Sequence, residues 1–152
     1  AAAGIDKAAM YMLRDVNPNS KTKFDTSGLT SSQATGYVPK PSWYYVYTLR
    51  NRLTGMRYIG EQASNDPNVT IYKFKSATSD AGAYVVWSPT AANVTVPGYS
   101  LQLQGSPATA TQVLMQSGDT DGIPSSLTIS GTNTVTVDVS ERPLFVLTDQ
   151  IQ

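Results

Sequence analysis

The sequence predicts a mainly β protein, an antiparallel β-sandwich of jelly-roll-like type, with a helical unit before it. From Met56 onward, short segments rich in β-branched and aromatic residues alternate with clusters of Gly, Pro, Asn, Asp and Ser. Several of these segments alternate apolar and polar residues, as strands with one buried face do. One helical pattern precedes them, and 152 residues are enough for one ordinary domain or a small domain with an appendage.

The helix is predicted for residues 42–54. Pro39 and Pro41 hold the approach extended, and Ser42 is a suitable N-cap. Gly55 stands where a left-handed residue ends a helix. The residues that recur at helical spacing form a stripe with large aromatics, which we expect to pack on a sheet: Trp43, Val46, Tyr47, Arg50 and Leu53, widened by Leu49.

Eight or nine strands follow this helix. In the last part of the chain, Leu127, Ile129 and the valines of "TVTVDV" should face one way. Strands at this spacing, separated by turn residues, are typical of a two-sheet sandwich. The predicted strands are "MRYIGE", "VTIYKFK", "AYVVWS", "NVTV", "YSLQLQ", "TQVLMQ", "SLTIS", "TVTVDV" and "PLFVLT".

The first sixteen residues fit a helix by propensity, because Ala, Met, Leu, Lys and Arg are good helix formers and residues 5–16 have helical periodicity. The stretch from Val16 to Tyr37 is polar and contains Pro18, Gly28 and Gly36, which predicts a loop. By these criteria alone, the loop separates two helices.

Composition excludes several classes of partner and of catalytic site. Eleven basic residues balance eleven acidic ones, which argues against nucleic acid and anionic membranes as partners, and no apolar run approaches a membrane span. The chain has no Cys and no His, which excludes disulfides, Cys/His zinc sites and Ser-His-Asp or Cys-His catalysis within it. Asp119 and Asp121 start a calcium-loop pattern that lacks its remaining ligands, so no metal and no cofactor are predicted.

The N-terminal third is similar to the end of the barrel in retaining glycoside hydrolases. "GIDKAAMYMLRD", "TKFDTSGL" and "PKPSWYYVYTLRNRLTGMRYIGE" resemble, in order and spacing, the last strand, loop and helix of (β/α)₈ enzymes that carry a C-terminal β-sandwich. "GAYVVWSP" and "VDVSERPLFVL" resemble parts of such sandwiches more loosely. The resemblance implies that residues 7–13 form a parallel barrel strand instead of a helix. It divides the chain into 1–55, the last strand–loop–helix of a barrel, and 56–152, a β-sandwich accessory domain.

The resemblance implies a role as the C-terminal portion of a secreted or periplasmic glycoside hydrolase-like protein. The sandwich would brace a carbohydrate-active barrel and would not be catalytic alone, because the family's two catalytic glutamates lie on barrel strands four and seven, outside this chain. Partners would be a poly- or oligosaccharide bound through the whole enzyme, and either the rest of the barrel or further copies of the chain. Two alternatives stay open: a free-standing carbohydrate-binding or lectin-like module, and a structural adhesin-type β domain.

Candidate substrate-binding residues follow from the same resemblance, since the carboxyl ends of barrel strands carry active-site groups. They are Tyr11, Arg14 and Asp15 at the end of the strand and Phe24 on the following loop. An Arg14–Asp15 pair would either orient a substrate hydroxyl or pin the loop, and pinning is favoured. No catalytic residue is assigned, because Glu61 and Glu141 are best interpreted as surface charges.

Two further aromatic positions have two interpretations each. Trp43 and Tyr47 could be sugar platforms, but their helical spacing favours packing against the sheet. Trp87 is either a sandwich-core or strand-end residue, or an outward-facing platform on which a sugar ring stacks.

Overall fold

The computed structural model of this chain describes residues 12–17, 19, 22 and 25–152. Over these residues it contains a short 3-10 turn, Gln33–Thr35, then one α-helix, α1 (Pro41–Leu53), and eight strands. The strands are β1 (Met56–Gln62), β2 (Thr70–Ser76), β3 (Gly82–Trp87), β4 (Val96–Gln102), β5 (Ala110–Leu114), β6 (Ile123–Leu127), β7 (Thr134–Val139) and β8 (Leu144–Thr148). Within this portion, no helix has both the length and the apolar character to cross a membrane.

The strands form two antiparallel sheets, as predicted. One has six strands in the order β1-β2-β3-β8-β5-β6, and the other has only β4 and β7. The inner core between the sheets contains Ile71, Tyr84 and Leu144 from the large sheet and the three valines of β7. The predicted orientation of the last strands is confirmed, because Leu127 and Ile129 pack against this core beside those valines.

A second apolar core lies on the outer face of the six-stranded sheet. Phe74, Val85, Val113 and Phe145 alternate along their strands with inner-core residues, so they point to the opposite face. Tyr45 and Leu53 of α1 pack against this second core. The helix therefore covers the outer face of a sheet, as the sequence predicts.

The helical stripe differs from the prediction. Trp43 and Tyr47 stack on each other with ring centroids 4.9 Å apart, and Val46 is exposed. The residue of α1 that is fully buried is Thr48, which aromatic periodicity does not single out. The buried face of α1 differs from the predicted stripe because the helix docks through Tyr45, Thr48 and Arg52. Thr48 and Arg52 contact the segment between β5 and β6.

The start of the helix also differs by one residue. Ser42 is not the N-cap; α1 begins at Pro41 with Lys40 in the capping position, and no side chain caps it. Proline suits the first helical position because its missing N–H would have no partner there. The other end is as predicted, with Gly55 in the left-handed region at φ 77°.

Two strand predictions need correction. Pro97-Gly98 does not separate two strands but forms a bulge inside β4, where Gly98 has φ 65° and its N–H donates to Asp138 Oδ1 at 2.8 Å. A bulge accommodates a proline without an N–H and a residue with positive φ. The strand predicted at "SLTIS" lies three residues earlier, at β6, where an edge position tolerates Pro124.

Candidate functional site

The side chain of Asp15 joins three parts of the N-terminal unit. It is 6% exposed, and its Oδ1 accepts a hydrogen bond from Lys40 Nζ at 2.7 Å and from the N–H of Gly28 at 2.9 Å. Lys40 Nζ also donates to the carbonyl of Thr26 at 2.8 Å. The end of the predicted barrel strand, the loop after it and the residue before α1 are thereby held together.

The ion pair also sets the charge state of Asp15. The hydrogen bond from Lys40 lowers the pKa of this carboxyl below its ordinary value, and the N–H of Gly28 lowers it further, while burial opposes both. The carboxylate stays ionised at neutral pH and acts as a fixed acceptor. A group with a lowered pKa is unsuited to donate a proton as a general acid at neutral pH.

The backbone around Asp15 leaves no room for a side chain at residue 28. A Cβ on Gly28 would lie 2.3 Å from the carbonyl carbon of Arg14 and 2.4 Å from the N of Asp15. The backbone of residues 12–15 pairs with that of residues 29–30, through bonds such as the N–H of Thr30 to the carbonyl of Leu13 at 3.0 Å. An Arg14–Thr30 bridge of parallel sense lies at the same place.

The side chain of Arg14 contacts Tyr37. Its Nη1 donates to the Tyr37 hydroxyl at 3.0 Å, and its guanidinium carbon lies 5.6 Å from the centre of the Tyr37 ring. Tyr37 is exposed and has φ 56°, a conformation that a bulky residue rarely adopts. The site presents a cation and an aromatic ring side by side to solvent, which suits binding of hydroxyl or carboxylate groups.

Substrate binding by the four predicted site residues stays a prediction. Tyr11 and Phe24 lie outside the described residues. The Arg14–Asp15 pair is not the ion pair that forms, because Asp15 bonds to Lys40 instead. Sequence reasoning missed Lys40 and Tyr37, which stand 25 and 23 residues from their partners. Lys40 lies in the Pro-Lys-Pro segment that contributes to the barrel resemblance, but that segment gives no indication of its partner.

The two glutamates lie on separate elements, β1 for Glu61 and the turn after β7 for Glu141. Both are exposed. Glu141 Oε1 accepts hydrogen bonds from the N–H of Asn93 at 2.7 Å and from Thr90 Oγ1 at 3.3 Å, so it holds the loop between β3 and β4. These contacts explain the position of Glu141 without a catalytic role.

The segment with Asp119 and Asp121 connects β5 to β6 and docks on α1. Asp119 Oδ1 accepts hydrogen bonds from the N–H groups of Asp121 and Gly122, both at 2.7 Å, which closes a turn. Arg52 Nε and Nη2 donate to the carbonyl of Asp121 at 2.8 and 2.5 Å. Across the described part of the chain, no three Asp or Glu side chains cluster in a way that could hold a metal ion.

An open apolar groove of about 330 Å³ lies between α1 and the outer face of the large sheet. Trp87, at the end of β3, packs edge-on against Tyr72 with ring centroids 4.8 Å apart. Trp87 is therefore a strand-end residue on the outer face, half-buried against the second core. The lining residues are Leu49, Leu53, Tyr72, Phe74, Val85, Trp87 and Pro143.

Comparison with known proteins shows a similarity of fold to a solved structure. At the level of sequence, no family model and no curated protein matches this chain. Among solved structures, the chain is similar to a GH30 endoxylanase from Clostridium papyrosolvens C71, with a TM-score of 0.54 and 13% sequence identity. The match covers 81% of this chain and 30% of the endoxylanase chain. The chain therefore has the fold of a part, less than one third, of a glycoside hydrolase.

Proposed function

We propose that this chain is the C-terminal portion of a glycoside hydrolase-like protein, in which its β-sandwich braces a carbohydrate-active barrel. Hydrolysis would depend on carboxylates outside residues 1–152, and the protein would be secreted or periplasmic. The fold similarity to 30% of an endoxylanase supports a role as part of a larger enzyme. The sequence resemblance of residues 4–60 to the end of a barrel supports the same proposal.

The observation that carries the proposal is the apolar surface of the N-terminal unit. Of the nine large apolar side chains that are exposed among the described residues, six lie between Leu13 and Leu49. Leu13 and Val16 are 68% and 67% exposed, and Val38 is 59% exposed. An apolar surface concentrated in one unit marks a site of contact with another protein surface. In the proposed longer protein, the other strand–helix units of the barrel would cover this apolar surface.

The sandwich side of this unit is already occupied. Thr48, Asn51 and Arg52 donate to the segment between β5 and β6, and Tyr45 and Leu53 pack on the second core. The helix is thus fixed to the sandwich by one face and leaves Val46 exposed on another. An element that joins the sandwich to a barrel needs a rigid attachment to the sandwich and a free surface for the barrel, and α1 has both.

Charge substitution on the free surface tests the proposal. Val16→Asp and Val38→Asp should leave the unfolding of the isolated chain nearly unchanged, because these side chains are 67% and 59% exposed there. In a longer polypeptide that includes the encoded upstream residues, each should lower stability by about 1.5–3 kcal/mol, the value of burying a valine. Ser100→Asp, on the exposed face of β4, is the control for added charge.

Measurement of polysaccharide hydrolysis is the second part of this test. The longer polypeptide should hydrolyse a polysaccharide, with xylan as the first substrate to try, and the isolated chain should not. Hydrolysis of xylan by the isolated chain, or an upstream region without strand–helix units, would refute the proposal.

A second candidate, a carbohydrate-binding module, is favoured by the groove at Trp87 and Tyr72. Aromatic rings in an open groove can stack on the apolar faces of a sugar. Titration calorimetry of the isolated chain with xylohexaose separates the candidates. Binding that Trp87→Ala abolishes, and that Trp43→Ala leaves intact, would support the module; absence of binding leaves the brace as the proposed function.

A further inference from the structure

Three cationic side chains share the inner side of the large sheet at its β1 edge. Phe74 of β2 belongs to the second core on the outer face, so Lys73 and Lys75, on either side of it, point to the inner side. Arg57 of β1 pairs directly with Lys75, and directly paired residues point to the same side. Arg57, Lys73 and Lys75, which we call the cationic strip, therefore lie together on two neighbouring strands.

The cationic strip is open to solvent beside the end of the small sheet. Arg57 is exposed, and the side chain of Lys75 is 34% exposed. Lys73 Nζ donates a hydrogen bond to the side-chain oxygen of Gln104, which follows the end of β4. The strip therefore runs from the end of β4 to the β1 edge of the large sheet, which is an outermost strand.

The positive charges of the strip are only partly balanced. Lys75 Nζ lies 3.0 Å from Asp80 Oδ1, but Asp80 is 74% exposed, and an exposed ion pair contributes little. Glu61 of β1 pairs with Tyr72 and points to the outer face with it. Arg57 has no hydrogen bond or ion pair in the part of the chain that the structure describes. Since like charges directly opposite each other on two strands are destabilising, the pairing of Arg57 with Lys75 lowers the stability of the free chain.

We propose that the cationic strip binds the carboxylate groups of an acidic polysaccharide in which successive sugars are uronic acids. Arg57 holds one carboxylate through its planar guanidinium, and Lys75 adds its charge to the same carboxylate. Lys73, two residues along β2 and about 7 Å away, faces a second carboxylate of the polymer. The bound carboxylates remove the repulsion between Arg57 and Lys75. This binding holds the protein on a polysaccharide and takes no part in hydrolysis.

The chemistry of the strip favours a polysaccharide over an acidic protein as the occupant. The buried centres of protein–protein interfaces are apolar and depleted in charged residues, whereas this strip consists of cations. The side chain of Gln104 beside Lys73 is a neutral amide, which can donate to and accept from sugar hydroxyls. The choice of a polysaccharide also rests on the proposed function, which makes this chain part of a carbohydrate-active protein.

Titration calorimetry of the isolated chain tests the inference with two forms of one ligand. The probes are an oligogalacturonate and the same oligomer with its carboxyl groups methyl-esterified. The acidic form is expected to bind, and more weakly as the salt concentration rises, because exposed charges are screened. The esterified form is expected not to bind. Absence of binding by the acidic form, or equal binding of the two forms, overturns the inference.

Matched variants locate the contact. Arg57→Gln and Lys75→Gln should each weaken binding of the oligogalacturonate about fivefold, as expected for loss of one exposed ion pair. Arg50→Gln is the control for a lost positive charge, because Arg50 is exposed on α1, which packs on the outer face of the sheet. It should leave binding unchanged. Equal effects of the three variants would refute the placement.

Stability measurements separate a binding site from simple protection of the edge. Charged residues on an edge strand can also serve only to prevent pairing between chains. At low ionic strength, Arg57→Gln is expected to raise the urea midpoint of the chain while it weakens binding, because it removes the repulsion from Lys75. A lowered midpoint contradicts the inference. Association of the variant chains with unchanged binding of the oligogalacturonate would leave Arg57 with edge protection alone and overturn the inference.

The two proposals can fail separately. If the longer polypeptide has barrel units and hydrolyses polysaccharide while the isolated chain does not bind the oligogalacturonate, only the cationic strip fails as a binding site. If the chain binds the oligogalacturonate through Arg57 and Lys75 but the upstream region contains no barrel units, the proposed function fails instead.

Discussion

Replacing Gly122 with alanine should destabilise the packing of the β5–β6 segment against β5 and α1, because Gly122 lies where these three meet. A Cβ at this position would lie 2.7 Å from the carbonyl oxygen of Leu114, 2.8 Å from Val113 Cγ1 and 3.2 Å from Thr48 Cγ2. The first neighbour is backbone of a paired strand and cannot move without breaking the sheet. The position also has φ 70°, which a side chain disfavours.

Gly118 is a matched control in the same segment. It has φ 88°, yet a Cβ there meets no atom within 4 Å. The backbone strain of a left-handed alanine, about 1–2 kcal/mol, is therefore common to both variants. Gly122→Ala adds overpacking, which costs about 1–3 kcal/mol. The difference between the variants isolates the packing of the segment against β5 and α1.

Urea unfolding followed by fluorescence measures this difference. The chain has two tryptophans, Trp43 on α1 and Trp87 on β3, so both the helix and the sheet are monitored. For a domain of this size the added destabilisation lowers the melting temperature of Gly122→Ala by about 2–12 °C relative to Gly118→Ala. Equal losses in the two variants would show that the segment does not pack as described.

Three further changes have specific expected outcomes. Asp15→Asn should flatten the loss of stability as pH falls below about 4, because the lowered pKa of Asp15 stabilises the fold above the ordinary carboxyl range and this contribution disappears on protonation; acid unfolding curves check it. Tyr84→Phe should cost about 1–3 kcal/mol in urea unfolding, because the N–H of Gln104, 2.6 Å from the buried hydroxyl, loses its acceptor. Gly82→Ala should cost about 1–3 kcal/mol or more, because a Cβ would lie 2.2 Å from Ile151 Cγ2, and Ile151→Ala should not add its full cost to that variant.

Much of the architecture could be predicted from local patterns. The sandwich follows from strand periodicity, since alternate valines at 135, 137 and 139 must share one face whatever they contact. The helix follows from its prolines, spacing and terminal glycine. The bulge at Pro97-Gly98 could not be predicted, because the same dipeptide suits a turn, and the choice depends on Asp138 of another strand accepting the Gly98 N–H.

The candidate site was harder to predict than the fold. Asp15 was identified from its place after the predicted barrel strand, but its partner Lys40 was not. Many cations in the chain could serve an aspartate equally well at the level of sequence. Only the return of the loop at residues 26–30 brings this one within 2.7 Å.

The sequence by itself determined the class of fold, the end of the helix at Gly55 and the absence of Cys and His chemistry, because each depends on residue type or short-range spacing. Tertiary structure decided which face of α1 meets the sandwich, which cation neutralises Asp15 and how far the small sheet covers the large one. These depend on how elements dock, and docking is settled by contacts between residues far apart in the chain, such as Arg52 with Asp121.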